Sequence, residues 1–243
     1  MSLPAPGWSP DRLFGPGRAS GTAALPKSEG SRPRSALPVH GGAPRHLAAH
    51  LLRLAAGASA LGQPVDWLLD LQAEIEIWLA EKAVPGVGLA LRMVLHLDQG
   101  LLAARLEPLP APPQPYRLAV MAHPLGARRA DPLVPHKGLS GPWWVEVLGA
   151  VRPLGVEDAL LLWPDGTLAE TAIASVGVEL AGTLTLPPAQ GRVASLAERL
   201  DLPSWAETRH LKLVVAGMSL AQARQGQVWC MNALRGIWPA MLL

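Results

Sequence analysis

Cysteine is almost missing from this sequence. With Cys230 alone present, no disulfide can form within the chain, and a reducing cytoplasm is the expected setting. A charge excess of one sign is missing too. The formal net charge is +2, which gives no electrostatic case for a nucleic-acid partner. No uncharged apolar run approaches the length of a membrane span, and the N-terminus lacks the charged-then-apolar pattern of a signal peptide, so no membrane partner is expected. The histidines are scattered without the spacing of a zinc site, and neither a phosphate loop nor a dinucleotide fingerprint occurs. Lysine is scarce as well: Lys27, Lys82, Lys137 and Lys212 stand against a large majority of arginine. Where arginine serves for plain positive charge, a retained lysine stands out, because only an amine forms a Schiff base. Tryptophan runs the other way, with nine residues. Trp143–Trp144 reads as core, with the wall of a cofactor pocket as the alternative.

What is present divides the 243 residues into stretches that can bury a core of one large or two small domains. Residues 1–43 are rich in Pro, Gly, Ser and Arg without a hydrophobic period, so they are expected to form a disordered or poorly ordered tail. Residues 44–108 read as a small α/β domain. A helix is predicted over Arg45–Leu61, with Leu47, Leu51, Leu54, Ala58 and Leu61 on one face, and a second over Asp66–Lys82 with Asp66 as N-cap. Strands are predicted over Val87–Leu97 and Leu101–Leu106, joined by a turn at Asp98–Gly100. The run LPAPPQP, residues 109–115, excludes a helix or central strand and reads as a proline-stiffened linker. Residues 116–243 form a larger domain. A strand from Tyr116 to Ala122 precedes the turn PHKGLSG, which carries Lys137. A helix over Pro142–Val151, a strand over Ala159–Trp163, a Pro-Asp-Gly turn and a strand from Leu168 carrying Glu170 follow. Further elements are a strand at Leu184–Leu186, a helix at Val193–Leu200, a strand at Leu211–Ala216, a turn capped by Ser219 and a strand at Val228–Met231. Without a clean βαβ repeat, the fold class is mixed α+β.

In order, HK and its helix, EDALLL, DG, ETAIASV, LTLPP and WCMNALRGI resemble the class IV aminotransferase family. These are the fold-type IV pyridoxal-phosphate enzymes, among them 4-amino-4-deoxychorismate lyase and the branched-chain and D-amino-acid aminotransferases. The resemblance runs from about Arg45 to Pro239 and implies a two-domain fold like that of D-amino-acid aminotransferase, with pyridoxal 5'-phosphate as cofactor. It implies that Lys137 is the catalytic Schiff-base lysine, its amine pKa lowered by burial and cationic neighbours. Glu170 would pair with the pyridine nitrogen and keep it protonated. Arg53, in HLLRL, would reach the phosphate, as would the backbone N–H groups of Leu196, Ala197 and Ala233. On the residues alone, Lys137 could be a surface lysine in a Pro/Gly loop, Glu170 an exposed strand residue and Arg53 a solvated arginine. The family further implies a small-molecule amino substrate and a homodimer with the site near the subunit interface.

NALRGI looks closer to the lyase branch, which implies formation of 4-aminobenzoate and pyruvate in the folate pathway. The alternatives are an aminotransferase of branched-chain or D-amino acids and a non-catalytic diverged homologue. The last draws on departures from the family pattern. FGPG at Phe14–Gly17 resembles an FG-x-G turn, but the Thr- and Phe-containing strand that normally follows is replaced. The Pro-Gly-x-Thr turn reads Ser195, Leu196, Ala197 and Glu198, which removes the glycine and brings a carboxylate expected to repel the phosphate. Ser175 stands for an asparagine and Trp144 for a tyrosine. The chain also ends at Leu243, where family members continue with a further helix.

Overall fold

The computed structural model describes residues 10–16 and 32–243. The chain divides within the proline-rich run. One compact unit extends to Pro110 and includes His136–Gly141; the other comprises Ala111–Pro135 and Pro142–Leu243. The division corrects the expected boundaries at one place. The short loop with Lys137 belongs to the first unit although it lies within the sequence of the second.

In the first unit the Leu/Ala stripe does what its period implies. Helix α1 (Leu47–Ala60) buries Leu47, Leu51, Leu54 and Ala58. The next segment starts differently from expectation. Asp66–Leu71 is a 3-10 turn, Val65 occupies the cap position, and no side chain caps it. Leu68 and Leu71, three residues apart, eclipse in that geometry, so both enter the core. Helix α2 (Gln72–Glu81) then adds Ile75, Trp78 and Leu79.

Both helices contribute to one core with an antiparallel sheet. Its strands are β1 (Arg12–Phe14), β2 (Arg34–His40), β3 (Ala43–Pro44), β4 (Gly88–His96) and β5 (Leu101–Pro108), in the order β1-β5-β4-β2-β3. Gly100, in the left-handed region at φ 60°, closes the β4–β5 hairpin. The expected tail is therefore corrected wherever it is described. Phe14 is buried and meets Trp78 edge-on at 5.7 Å, and β2 is paired with β4 over its full length. The physical reason is range. Leu37 and Val39 are buried in the same core as α1 and α2, and the strand's backbone partner is β4, about fifty residues later. Residues 1–9 and 17–31 of that expectation, including Gly17 of FGPG, lie outside the described residues.

The second unit is an eight-stranded mixed sheet. Its strands are β6 (Arg117–Ala122), β7 (Asp158–Leu162), β8 (Leu168–Thr171), β9 (Ser175–Leu180), β10 (Thr183–Leu186), β11 (Lys212–Val215), β12 (Gln227–Asn232) and β13 (Gly236–Leu242). The order is β11-β10-β9-β12-β13-β6-β7-β8, with β10–β11, β13–β6 and β6–β7 parallel. Helix α3 (Trp143–Val151) packs Val147 and Val151 with Ala159, Leu161 and Trp163. Helices α4 (Leu196–Leu200) and α5 (Leu202–Thr208) contribute Ala197 and Leu202 to a cluster with Leu184, Leu186 and Met231. Helix α6 (Leu220–Ala223) starts in a full capping box between Ser219 and Gln222. Strands β9 and β13 and helix α5 were not expected. The helix predicted from Val193 begins at Leu196, because Ser195 caps it through its hydroxyl.

Candidate active site

Burial decides which polar groups of the second unit carry chemistry. Glu170, on β8, is 5% exposed. Its Oε1 lies 3.4 Å from both His123 Nε2 and the backbone N of Val193. Desolvation pushes its pKa up, opposed by the hydrogen bond from His123, the charge of Arg192 and the Val193 N–H. Two other groups hold the strand end that carries it. Buried Asp158 accepts from Ala172 N–H (3.0 Å) and Tyr116 O–H (3.1 Å), and its own pKa is raised by burial. Asn232 donates to the Ile173 carbonyl at 3.2 Å.

The residues expected to form a phosphate turn are organised by an arginine that sequence reasoning overlooked. Arg192 is 1% exposed. It donates to both oxygens of Glu198 at 2.7 Å, to the carbonyls of Pro187 and Pro188, and to Ser175 Oγ. Glu198 is thus held in a bidentate pair, which corrects the expectation that its charge acts against a phosphate. Ser175 Oγ also accepts from Ser195 N–H at 2.8 Å, and Ser195 Oγ accepts from Glu198 N–H at 3.0 Å. Leu196 and Ala197, both buried, open α4, so their N–H groups have no partner within the helix. Ala233 follows β12 in a turn that Asn232 Oδ1 closes by accepting from Leu234 and Arg235 N–H.

Lys137 and Arg53 lie in the first unit, Lys137 on its returning loop and Arg53 on α1, and both are half-buried. The Lys137 carbonyl accepts from Arg34 N–H at 3.1 Å, which ties the loop to the start of β2. Gly138 makes that approach possible. Its φ is +95°, and an added Cβ would stand 2.2 Å from the Arg32 carbonyl oxygen. Buried His50 marks where the two cations act together. Its Nδ1 is 2.7 Å from Ser35 Oγ. Burial, then the charges of Arg53, Lys137 and His46, lower its pKa to about 3. The expected residues thus fall into two sets: Lys137 and Arg53 in one unit, Glu170, Leu196, Ala197 and Ala233 in the other.

His123, Asp158 and Asn232 were missed because each has a partner far away in the chain, and Arg192 because its pairing with Glu198 depends on how the segment before α4 turns. A sequence signal exists only for His123, a polar residue at the end of an apolar strand and before a proline.

The two sheets with their helices are those of the fold-type IV transaminases. A fold IV transaminase from Curtobacterium pusillum superposes with a TM-score of 0.76 at 18% identity, covering 96% of this chain and 91% of its own. The model of the amino-transferase class IV family matches residues 36–242, and the chain belongs to that family, whose cofactor is pyridoxal phosphate. Its neighbours include the 4-amino-4-deoxychorismate lyase of Pseudomonas aeruginosa, with a TM-score of 0.71, 23% identity and coverage of 95% and 91%. A hypothetical aminotransferase of Mycobacterium tuberculosis in its PLP-bound form gives a TM-score of 0.76 at 16% identity, with coverage of 95% and 90%. The comparison with curated proteins finds no match. Among the described residues, no helix is long and apolar enough to cross a membrane.

Proposed function

We propose that this protein is a pyridoxal-phosphate lyase of the 4-amino-4-deoxychorismate lyase kind, releasing an aromatic amine and pyruvate. The observation that carries the reading is Glu170, a carboxylate kept in a dry site although burial opposes its charge. Such a group needs a cationic N–H partner, and a protonated pyridine is one. By residue type the expected groups are those the cofactor needs: an amine at Lys137, a carboxylate at Glu170, the Arg53 guanidinium and the N–H groups of Leu196, Ala197 and Ala233 for a phosphate. When bound, pyridoxal phosphate supplies an electron sink for the bond-breaking at the substrate's α-carbon.

The chain's own residues do the rest. The Lys137 amine would hold the cofactor and would take the proton from the substrate's α-carbon through Nζ. Glu170 would keep the pyridine nitrogen protonated, and Arg53 would balance the phosphate charge. The NALRGI segment from Asn232 to Ile237 favours the lyase branch over the transaminase branch. We assign the protein to the cytoplasm on its single cysteine, and read it as a homodimer on the family resemblance.

The test is a titration of the purified chain with pyridoxal phosphate, followed by borohydride and peptide mapping. A cofactor adduct on Lys137 is expected, with 4-aminobenzoate and pyruvate formed from aminodeoxychorismate. Amino transfer to a keto acid in place of pyruvate release would assign it to the transaminases. Absence of any adduct would mark it as a non-catalytic homologue.

A further inference from the structure

Glu170 has one side-chain hydrogen-bond partner among the described residues, and the environment of that partner is specified on three sides. His123 follows β6, and its backbone N–H continues the β6–β7 ladder by donating to the Leu162 carbonyl at 2.8 Å. Its ring stacks on Trp163, with centroids 4.2 Å apart and planes at 18°, and leans on Trp143 at 4.9 Å. The side chain has no solvent exposure. Most telling is Nδ1, which lies 3.0 Å from the backbone N–H of Leu125. A backbone N–H only donates, so Nδ1 must accept, and the imidazole proton sits on Nε2, the atom that faces Glu170 Oε1.

The remaining groups around the carboxylate do not duplicate this donor. Val193 offers a backbone N–H, also to Oε1. Arg192 contributes charge at a distance, but its N–H groups are committed to Glu198, Ser175 and two proline carbonyls. Both contacts at Oε1 are 3.4 Å.

We propose that His123 is the positioning residue for Glu170: it donates its Nε2 proton to Oε1, favours the ionised carboxylate, and leaves Oε2 to accept from the pyridine nitrogen of the cofactor. The proposal rests on the reading that Glu170 pairs with that nitrogen. His123 itself touches neither substrate nor cofactor; it acts through the carboxylate.

Two measurements on the apo chain test the His123–Glu170 link without any turnover. In ¹⁵N-histidine spectra, the His123 signals, assigned by their loss in H123Q, should show a protonated Nε2 and an accepting Nδ1. The opposite tautomer would overturn the proposal. In infrared titrations, the Glu170 carboxyl band is assigned by its loss in E170Q. Its midpoint should rise by about one pH unit or more in H123F, which keeps an aromatic ring between the tryptophans but has no donor. H123Q, whose amide donates, should move it back toward wild type. An unchanged midpoint in folded H123F would overturn the proposal. A third measurement separates the link from the reading of the site. In the cofactor-loaded chain, H123F should lose the absorbance of the protonated pyridine and H123Q should retain it. A wild-type chain that takes up no cofactor would overturn the site reading and the pairing of Oε2 with the pyridine, whatever the apo midpoints show.

Discussion

Arg192 and Glu198 show how far a residue's chemistry depends on what lies beside it. In the linear sequence Glu198 is a carboxylate at a phosphate turn; in the fold it is one half of a buried bidentate pair. Breaking such a pair leaves an uncompensated buried charge, at a cost of ~3–5 kcal/mol. E198A should lower apo stability by about that amount in urea unfolding, and the double variant R192L/E198L should recover much of the loss. A neutral E198A would mean the pair is effectively solvated. Lys137 and Glu170 belong to this scale too, and both were picked out from motif order. K137A should abolish the borohydride-trapped adduct, whereas K82A and K212A should leave it intact. E170Q should keep the adduct and lower turnover by on the order of 10²-fold, since an amide cannot hold the pyridine proton. Equal turnover in E170Q would remove Glu170 from the site. His123 and Arg192 could not be picked out in the same way. Their meaning lies in a Leu125 N–H, a proline carbonyl and a carboxylate that only the folded backbone delivers.

Among the elements, those with an internal period were readable. Helix α1 was expected over Arg45–Leu61 and runs Leu47–Ala60, because its stripe of Leu and Ala repeats within the segment. Strand β2 was not readable, since RSALPVH has a proline near its centre and lies in a Pro/Arg-rich context. Yet β2 is the element that supports the Lys137 loop, through Arg34 and the close passage of Gly138 under Arg32. G138A combines a positive φ with a backbone clash, so ~2–3 kcal/mol of destabilisation is expected. Because the clash is at the neighbour of Lys137, cofactor affinity should fall with it. Thermal melts of the apo chain and a cofactor titration read the two effects. A G138A chain with wild-type melting and affinity would show that the loop is not held by β2.

For the whole molecule, burial of ionisable groups sets opposite pH responses in the two units. His50 is held neutral in the first, with a pKa lowered to about 3. The unfolded chain therefore binds the extra proton first as pH falls below about 6.5, its reference value, so stability is full above that and is lost progressively toward pH 3. H50Q should flatten this acid loss, by up to about 5 kcal/mol; an identical pH profile in H50Q would remove His50 as its source. In the second unit Glu170 and Asp158 are shifted upward by burial, so there the folded apo chain binds protons more tightly than the unfolded one. Their contribution falls as pH rises from the ordinary carboxylate range through the raised values, and E170Q should be the more stable apo protein at neutral pH. None of this was in the sequence, which shows titratable residues but not their burial. The sequence by itself determined the mixed α+β class, the family, the helix periodicity and the lysine and glutamate on which the chemistry is proposed to rest, because each is carried by local pattern or motif order. The tertiary structure alone decided that β2 is a sheet strand, that the Lys137 loop returns to the first unit, that Glu198 is neutralised, and that His123 addresses Glu170. The strand pairing, the loop return and the His123–Glu170 contact depend on residues distant in the chain, and the Arg192–Glu198 pair on the turn into α4 that closes six residues on themselves; the energies of burial and pairing exist only once the backbone has taken those paths.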